Sequence, residues 1–326
     1  MSELSRLKEP IHQELDRFES YFSQLMRTNN RLLNIILKYI LKTKGKRFRP
    51  MLVFYSAKLQ GYTNERTFVA AALIELLHTA TLVHDDVVDN SQLRRGFFSI
   101  KSLWKSKVAV LVGDYLLSKG LLLSVENKAF DLLEIVSEAV KEMAEGEILQ
   151  IEKARNLDIS EALYYEIIRK KTAVLIAASM LAGYKSVSEN REKLDVIKEI
   201  GINLGMAFQI KDDLFDYQSN QKIIGKPIGN DIIERKITLP LIFALNNADN
   251  KERKKILRLL NSANISKKDI HYIIEFVNNA GGVKYANEKM LFLVQSAVNL
   301  LDLHFSTSPI IENFKDLMFF VVQRNK

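Results

Sequence analysis

Phe68-Val69-Ala70-Ala71-Ala72-Leu73-Ile74-Glu75-Leu76-Leu77-His78-Thr79-Ala80-Thr81-Leu82-Val83 runs straight into His84-Asp85-Asp86-Val87-Val88-Asp89. A helix that is apolar almost all the way round has no face for water, so the first stretch predicts a helix in the middle of the fold. Its end is the reverse, with three aspartates in five positions, followed by Arg94-Arg95-Gly96. Asp is a poor helix-interior residue because its carboxylate competes for nearby backbone groups. Three of them at the mouth of a buried helix cost stability, so a use for them is expected.

Helical spacing indicates the use. Asp85 and Asp89 are i and i+4, and Asp86 and Asp89 are i and i+3, so the carboxylates crowd one side of one turn. Two such charges about 5 Å apart repel by roughly 3 kcal/mol at an effective dielectric of about 20. A cation between them would relieve this. Oxygen ligands without a Cys or His cluster suit Mg²⁺, which takes one or two carboxylates and completes its shell with water and phosphate. A solvated helix end is the alternative reading of the single motif. Asp212-Asp213-Leu214-Phe215-Asp216 repeats the spacing after the apolar run Ile200–Ile210. Two acidic helix ends far apart in sequence can face one another across a bundle and share several cations.

Composition narrows the class. Apolar residues make up 47% and charged residues 26% of the 326, a globular mix able to bury a sizeable core. Only 5 Pro and 13 Gly interrupt it, which favours a mostly helical, single-domain chain over residues 1–326. Cysteine is absent, so disulfides, thiolate catalysis and zinc-thiolate sites are excluded. Residues 1–30 show no signal-peptide core, and no apolar run approaches the ~18 residues of a membrane span, so a soluble cytoplasmic protein is expected. The net charge of +8 is spread along the chain without an aromatic-studded basic stretch, which favours anionic small molecules or lipid over nucleic acid.

Helical patterns cover about 3–42 as two helices, then 99–126, 128–155, 158–184 and 196–217, with later breaks near 246–251, 261–266, 280–282 and 306–309. The turn Lys44-Gly45-Lys46-Arg47-Phe48-Arg49-Pro50 gathers four cations at a helix start, a plausible diphosphate cradle or else a solvated loop. Gly201, Gly205 and Ala207 let the 196–217 helix approach a neighbour closely. The segment from Gly225 to Asp231, carrying Lys226, reads as a flexible loop able to cover an anion, or as a plain turn.

Together these residues resemble the trans-type polyprenyl diphosphate synthase family. Five signatures stand in the family's order: GKRFRP (45–50), HTATLVHDDVVD (78–89) leading into RRG (94–96), KTA (171–173), FQIKDDLFD (208–216), and GKPIGND with KITLP (225–231, 236–240). The resemblance implies an all-α bundle of long, mostly antiparallel helices around a deep cavity, and a homodimer. It implies that Asp85, Asp89 and Asp212 hold Mg²⁺, three ions per site, with Asp86, Asp213 and Asp216 close by. It gives Lys46, Arg49, His78 and Arg95 to isopentenyl diphosphate, and Arg94, Lys171, Lys226 and Lys236 to the allylic diphosphate. Thr172 and Gln209 match positions near the developing carbocation. His84 is expected in a supporting or packing role.

Three positions depart from the family pattern: Lys44 and Arg235 replace glycines, and Gln150 stands where short-chain members have a metal-contacting Asp. Ala80 and Thr81 stand where short-chain members place an aromatic floor. The expected product is therefore longer than geranylgeranyl diphosphate, for a quinone side chain, with peripheral membrane contact at release. Leu73, Leu76, Leu77 and Phe130 are candidates for the lower boundary. Rival readings are a geranylgeranyl or farnesyl diphosphate synthase, a class I terpene cyclase, and a silent subunit of a heteromeric synthase.

Overall fold

The computed structural model describes residues 3–43, 45–94, 96–154, 160–217, 229–234, 236–262 and 265–324. Sixteen α-helices follow in order: α1 Glu3–Lys8, α2 His12–Leu25, α3 Arg31–Lys42, α4 Phe48–Lys58, α5 Glu65–Val88, α6 Ile100–Glu126, α7 Phe130–Ala154, α8 Glu161–Ile168, α9 Val174–Lys185, α10 Arg191–Phe215, α11 Asn230–Ile233, α12 Leu239–Asn246, α13 Asn250–Leu260, α14 Lys267–Asn279, α15 Gly282–His304 and α16 Pro309–Gln323. The all-α expectation holds. Among the described residues the only strands are β1 Leu93–Arg94 and β2 Phe97–Phe98, a hairpin closed by Gly96 at φ +80°. The expected first helix is broken near Pro10, where a 3₁₀ turn, Glu9–Ile11, separates α1 from α2.

The described residues cluster into two compact units. The first comprises 1–138, 178–198 and 307–314. Here α5 packs on α4 and α6. Asn64 starts α5 with a capping box, its side chain accepting from the Thr67 N–H while Thr67 returns the bond. Every residue from Thr67 to Leu76 is buried, as the apolar pattern requires. Phe22, Phe18, Phe54 and Phe68 pack ring to ring at 5.3–6.0 Å between successive centroids. Burial of this order contributes roughly 1.5–3 kcal/mol per large apolar side chain.

The second unit comprises 139–177, 199–306 and 315–326. In it α12 packs on α15, and Phe243 stacks on Tyr285 at 4.3 Å. The small residues of α10 act as expected. A Cβ on Gly205 would lie 2.4 Å from the Ala173 Cα, and one on Gly201 equally close to the Ala177 Cα.

Among the described residues two helices are, by length and composition, long and apolar enough to cross a membrane, where no apolar run of that length was expected. In α5 the most apolar window is 72% buried, as in a core helix of a soluble protein; in α6 the figure is 39%. The apolarity of α6 therefore lies largely on an open face, where Leu111, Leu121, Leu122 and Val125 are each more than half exposed.

One residue of α6 is strained. Lys105 takes φ 70° and ψ 159° at a kink, a region that only glycine occupies freely. Lys105→Gly is expected to raise stability by about 1 kcal/mol, seen as a higher urea midpoint at unchanged slope. A lower midpoint would show that the strain is offset locally.

Candidate active site

In the first unit α5 ends at Asp89, whose N–H donates to the Asp85 carbonyl at 2.8 Å, and Asn90 turns left-handed at φ 54°. The C-terminal end of a helix carries the negative pole of its dipole, so each carboxylate there is disfavoured by ~0.3–1 kcal/mol. The three aspartates are treated differently. Asp86 is buried and accepts from the Arg94 Nε at 2.7 Å. Burial pushes its carboxyl up, while Arg94 pulls it down. Asp85 is half-buried and Asp89 exposed, so the i, i+4 pair stays accessible. His84 packs over α6, with its Nε2 3.2 Å from the Val110 carbonyl and 3.5 Å from Asp114. Gly113 makes room for it, since a Cβ there would lie 2.1 Å from that nitrogen.

The basic turn divides its cations. Arg49 Nη1 lies 2.9 Å from the Nε2 of buried His78, so two residues 29 apart in sequence meet. Lys46 is exposed. Lys44 and Arg95 lie outside the described residues. Arg47 instead turns inward in a left-handed conformation, φ 58°, and is 8% exposed. Its Nε donates to Glu19 at 2.9 Å, its Nη1 donates to Glu75, and its guanidinium lies 5.0 Å from the Phe22 ring. It is thus a clamp joining the turn to α2 and α5. A cavity beside the clamp is lined by Tyr39, Thr43, His78, Thr79, Asp86 and Arg94. Arg47→Ala leaves Glu75 buried without its cation and is expected to cost roughly 3–5 kcal/mol in chemical denaturation. The apolar pair Arg47→Met with Glu75→Leu should recover most of that loss. A loss under about 1 kcal/mol for the single variant would contradict the clamp.

In the second unit the stretch expected as one helix over 158–184 is interrupted. Arg169–Ala173 form a π-helical turn between α8 and α9, a feature frequent at functional sites. Two glycines fit around it, Gly205 against Ala173 and Gly146 against Lys170. The turn carries Lys171 and Thr172. Lys171 Nζ lies 2.5 Å from Glu147 and donates to Gln150 Oε1 at 3.1 Å. Thr172 Oγ1 donates to Gln209 Oε1 at 2.7 Å.

The second acidic cluster closes α10. Asp213 is buried and accepts from Gln209 Nε2 at 2.8 Å and from the Tyr164 hydroxyl at 2.7 Å. Burial pushes its carboxyl well up and the charge of Asp231 adds to this, while the hydrogen bonds from Tyr164 and Gln209 pull it down. Asp216 accepts from the Asp231 N–H at 2.5 Å, tying the start of α11 to the cluster. Lys236 lies 2.5 Å from Glu234 and 3.8 Å from Asp231. Lys226 and Arg235 lie outside the described residues. Asp212 is half-buried and accepts from Arg324, near the end of the chain, whose guanidinium sits 3.9 Å from the Phe208 ring.

A family model described as polyprenyl synthetase matches residues 30–277. The chain belongs to the polyprenyl synthetase family. It is similar to the all-trans-nonaprenyl-diphosphate synthase (geranyl-diphosphate specific) of Rhodobacter capsulatus, 35% identical over 90% of both chains. It is similar also to the octaprenyl diphosphate synthase of Escherichia coli, 31% identical over 99% of both. A crystal structure of polyprenyl synthase from Caulobacter crescentus, complexed with calcium and isoprenyl diphosphate, superposes with a TM-score of 0.92 at 32% identity, covering 99% of this chain and 98% of that one.

For a polyprenyl synthetase the donor set suits Mg²⁺. Among the described residues no three His, Cys, Asp or Glu side chains are grouped to hold a metal ion by themselves. Accessible oxygen ligands such as Asp85 and Asp89 fit an ion that takes only one or two carboxylates and leaves the rest of its shell to phosphate and water. Sequence reading missed three contributors. Arg47 reads as one of four neighbouring cations, Tyr164 sits in an ordinary apolar pattern, and Arg324 lies beyond the last motif. Only Arg47 had a signal, the lone charge Glu75 inside the apolar run Phe68–Val83.

Proposed function

We propose that this prenyltransferase, folded as one synthase domain, condenses isopentenyl diphosphate head-to-tail onto an allylic diphosphate primer. It repeats the step to release a long-chain all-trans polyprenyl diphosphate for a quinone side chain. The observation that carries the reading is the accessible Asp85–Asp89 pair at the C-terminal end of α5, where the helix dipole disfavours anions. Placement there is rational only if cations arrive with the substrate.

Asp85, Asp89 and Asp212 would hold Mg²⁺, three ions per site, with Asp86, Asp213 and Asp216 supporting them. Bound Mg²⁺ supplies charge that stabilises the departing diphosphate. Arg94, Lys171, Lys226 and Lys236 grip that diphosphate, and Lys46, Arg49, His78 and Arg95 grip isopentenyl diphosphate. The allylic C–O bond breaks and its electron pair leaves with the diphosphate. The double bond of isopentenyl diphosphate then attacks the allylic carbon. A proton leaves the adjacent carbon, taken by the departing diphosphate, so no side-chain nucleophile is needed. Thr172 and Gln209 face the cation and stabilise it with fixed dipoles.

Product length follows α5. Below Asp85 the side chains at i−4 and i−8, Thr81 and Leu77, are half-buried, whereas Ala80 and Leu76 beside them are buried. Each turn rises about 5.4 Å, close to one isoprene unit. Ala80, the other small residue at this level, is fully buried, as are Leu73 and Leu76 within about 1%; Phe130 is 59% exposed and does not support a floor there.

The protein would act in the cytoplasm as a homodimer, with peripheral membrane contact at product release; the open apolar face of α6 supports the dimer. Leu122→Glu, on that face, should turn a dimer into a monomer in light scattering; a wild-type monomer would contradict the dimer. The function itself is tested by incubating the protein with labelled isopentenyl diphosphate, an allylic primer and Mg²⁺, then sizing the dephosphorylated products. Chains beyond twenty carbons are expected; cyclised hydrocarbon, or no elongation, contradicts the reading.

A further inference from the structure

Three hydrogen bonds in the second unit join four side chains from three helical segments: Tyr164 Oη to Asp213 Oδ2 at 2.7 Å, Gln209 Nε2 to Asp213 Oδ1 at 2.8 Å, and Thr172 Oγ1 to Gln209 Oε1 at 2.7 Å. Tyr164 is 4% exposed and Asp213 6%, so water does not compete for the bond between them, while Thr172 and Gln209 are half-buried. The direction of each bond follows from donor chemistry. The Tyr164 hydroxyl and the Gln209 NH₂ both point their protons at Asp213, one at each carboxyl oxygen. The Gln209 carbonyl oxygen then faces Thr172, which can meet it only by donating its single hydroxyl proton. The Thr172 oxygen is left with lone pairs alone to offer elsewhere.

We infer that Tyr164 is a positioning residue for prenyl transfer: its hydroxyl anchors Asp213, so that Gln209 keeps its oxygen toward Thr172 and Thr172 is held with its oxygen, not its proton, facing the allylic cation. The inference rests on the proposed placement of Thr172 and Gln209 beside that cation. Tyr164 itself touches no reacting atom. Its hydroxyl acts at the far end of the chain, occupying the second carboxylate oxygen so that Asp213 cannot rotate away from Gln209. Without that anchor the Gln209 amide can turn over and the Thr172 proton can swing outward, which places a positive dipole end where the positive charge develops. Preorganisation of this kind is worth most in a dry site, because no reorganisation is needed when the charge forms. Packing holds the ring independently of its hydroxyl, since Tyr165 meets it edge-on at 5.6 Å.

The test is a double-mutant cycle with Tyr164→Phe and Thr172→Val, read by steady-state elongation kinetics on the full-length protein. Tyr164→Phe is expected to lower kcat about tenfold or more, with KM for both diphosphates changed less than about twofold and the thermal midpoint little altered. Thr172→Val should lower kcat at least as much, and the double variant should be no slower than Thr172→Val alone, because both changes act on one oxygen. A purely structural role would instead give multiplicative losses and move the thermal midpoint. Replacing Tyr164 with 4-aminophenylalanine, which restores a donor at the same place, should recover most of the rate, and it keeps the test open if the phenylalanine variant folds poorly. If Thr172→Val slows the enzyme and Tyr164→Phe does not, or if the two losses multiply, the inference is overturned while the functional reading stands. If Thr172→Val has no effect on kcat, the placement of Thr172 beside the cation falls, and the inference with it.

Discussion

Asp85→Ala should reduce kcat by about a thousandfold or more, the equivalent of ~4 kcal/mol of transition-state stabilisation. The carboxylate at this position is one of two accessible at i, i+4 on the last turn of α5. An ion held by one carboxylate instead of two is placed less firmly, and its charge acts on the departing diphosphate only if it is placed firmly. The companion variant Asp89→Asn separates chemistry from folding. Asp89 is exposed at the negative pole of the helix, so neutralising it should leave the thermal midpoint unchanged or slightly raised while kcat still falls. A parallel fall in stability and rate would make the cluster structural. Retention of more than about a tenth of the wild-type rate by Asp85→Ala would remove it from the chemistry.

Thr81→Phe should shorten the product, moving the distribution to twenty carbons or fewer with the same primer. The argument is one of position. Thr81 lies one turn below Asp85 on the half-buried stripe that continues to Leu77, and its hydroxyl is turned back to the His78 carbonyl at 2.9 Å. A phenyl ring at this point stands in the path of a chain growing away from the metals. Ala80→Phe should also shorten the product, but from a fully buried position, so it carries an overpacking cost of about 1–3 kcal/mol that Thr81→Phe avoids. Products sized by reversed-phase chromatography decide the matter. An unchanged distribution in both variants would show that the product leaves α5 by another face.

Much of this was legible in the sequence, for identifiable physical reasons. Helix α5 declared itself because its apolar residues fill all sides, a pattern that only a buried helix satisfies. The acidic clusters declared themselves because carboxylates at helical spacing are unfavourable without a counterion. The tight packing around α10 followed from Gly201 and Gly205. What stayed hidden depends on direction, which spacing does not encode. The π turn at Arg169–Ala173 has no compositional mark and reads as continuous helix. Nothing local says that Arg47 points inward while Arg49 reaches His78. The bonds from Tyr164 to Asp213 and from Arg324 to Asp212 join residues 49 and 112 positions apart, beyond any periodicity.

The most direct test is a crystal structure of the protein with Mn²⁺ in place of Mg²⁺ and an allylic thiodiphosphate that resists ionisation, with anomalous scattering locating the metal. The proposal expects metal peaks at coordination distance from Asp85, Asp89 and Asp212, each also contacting the diphosphate. Density showing the diphosphate held by lysine and arginine alone, with no metal at those three carboxylates, would contradict it.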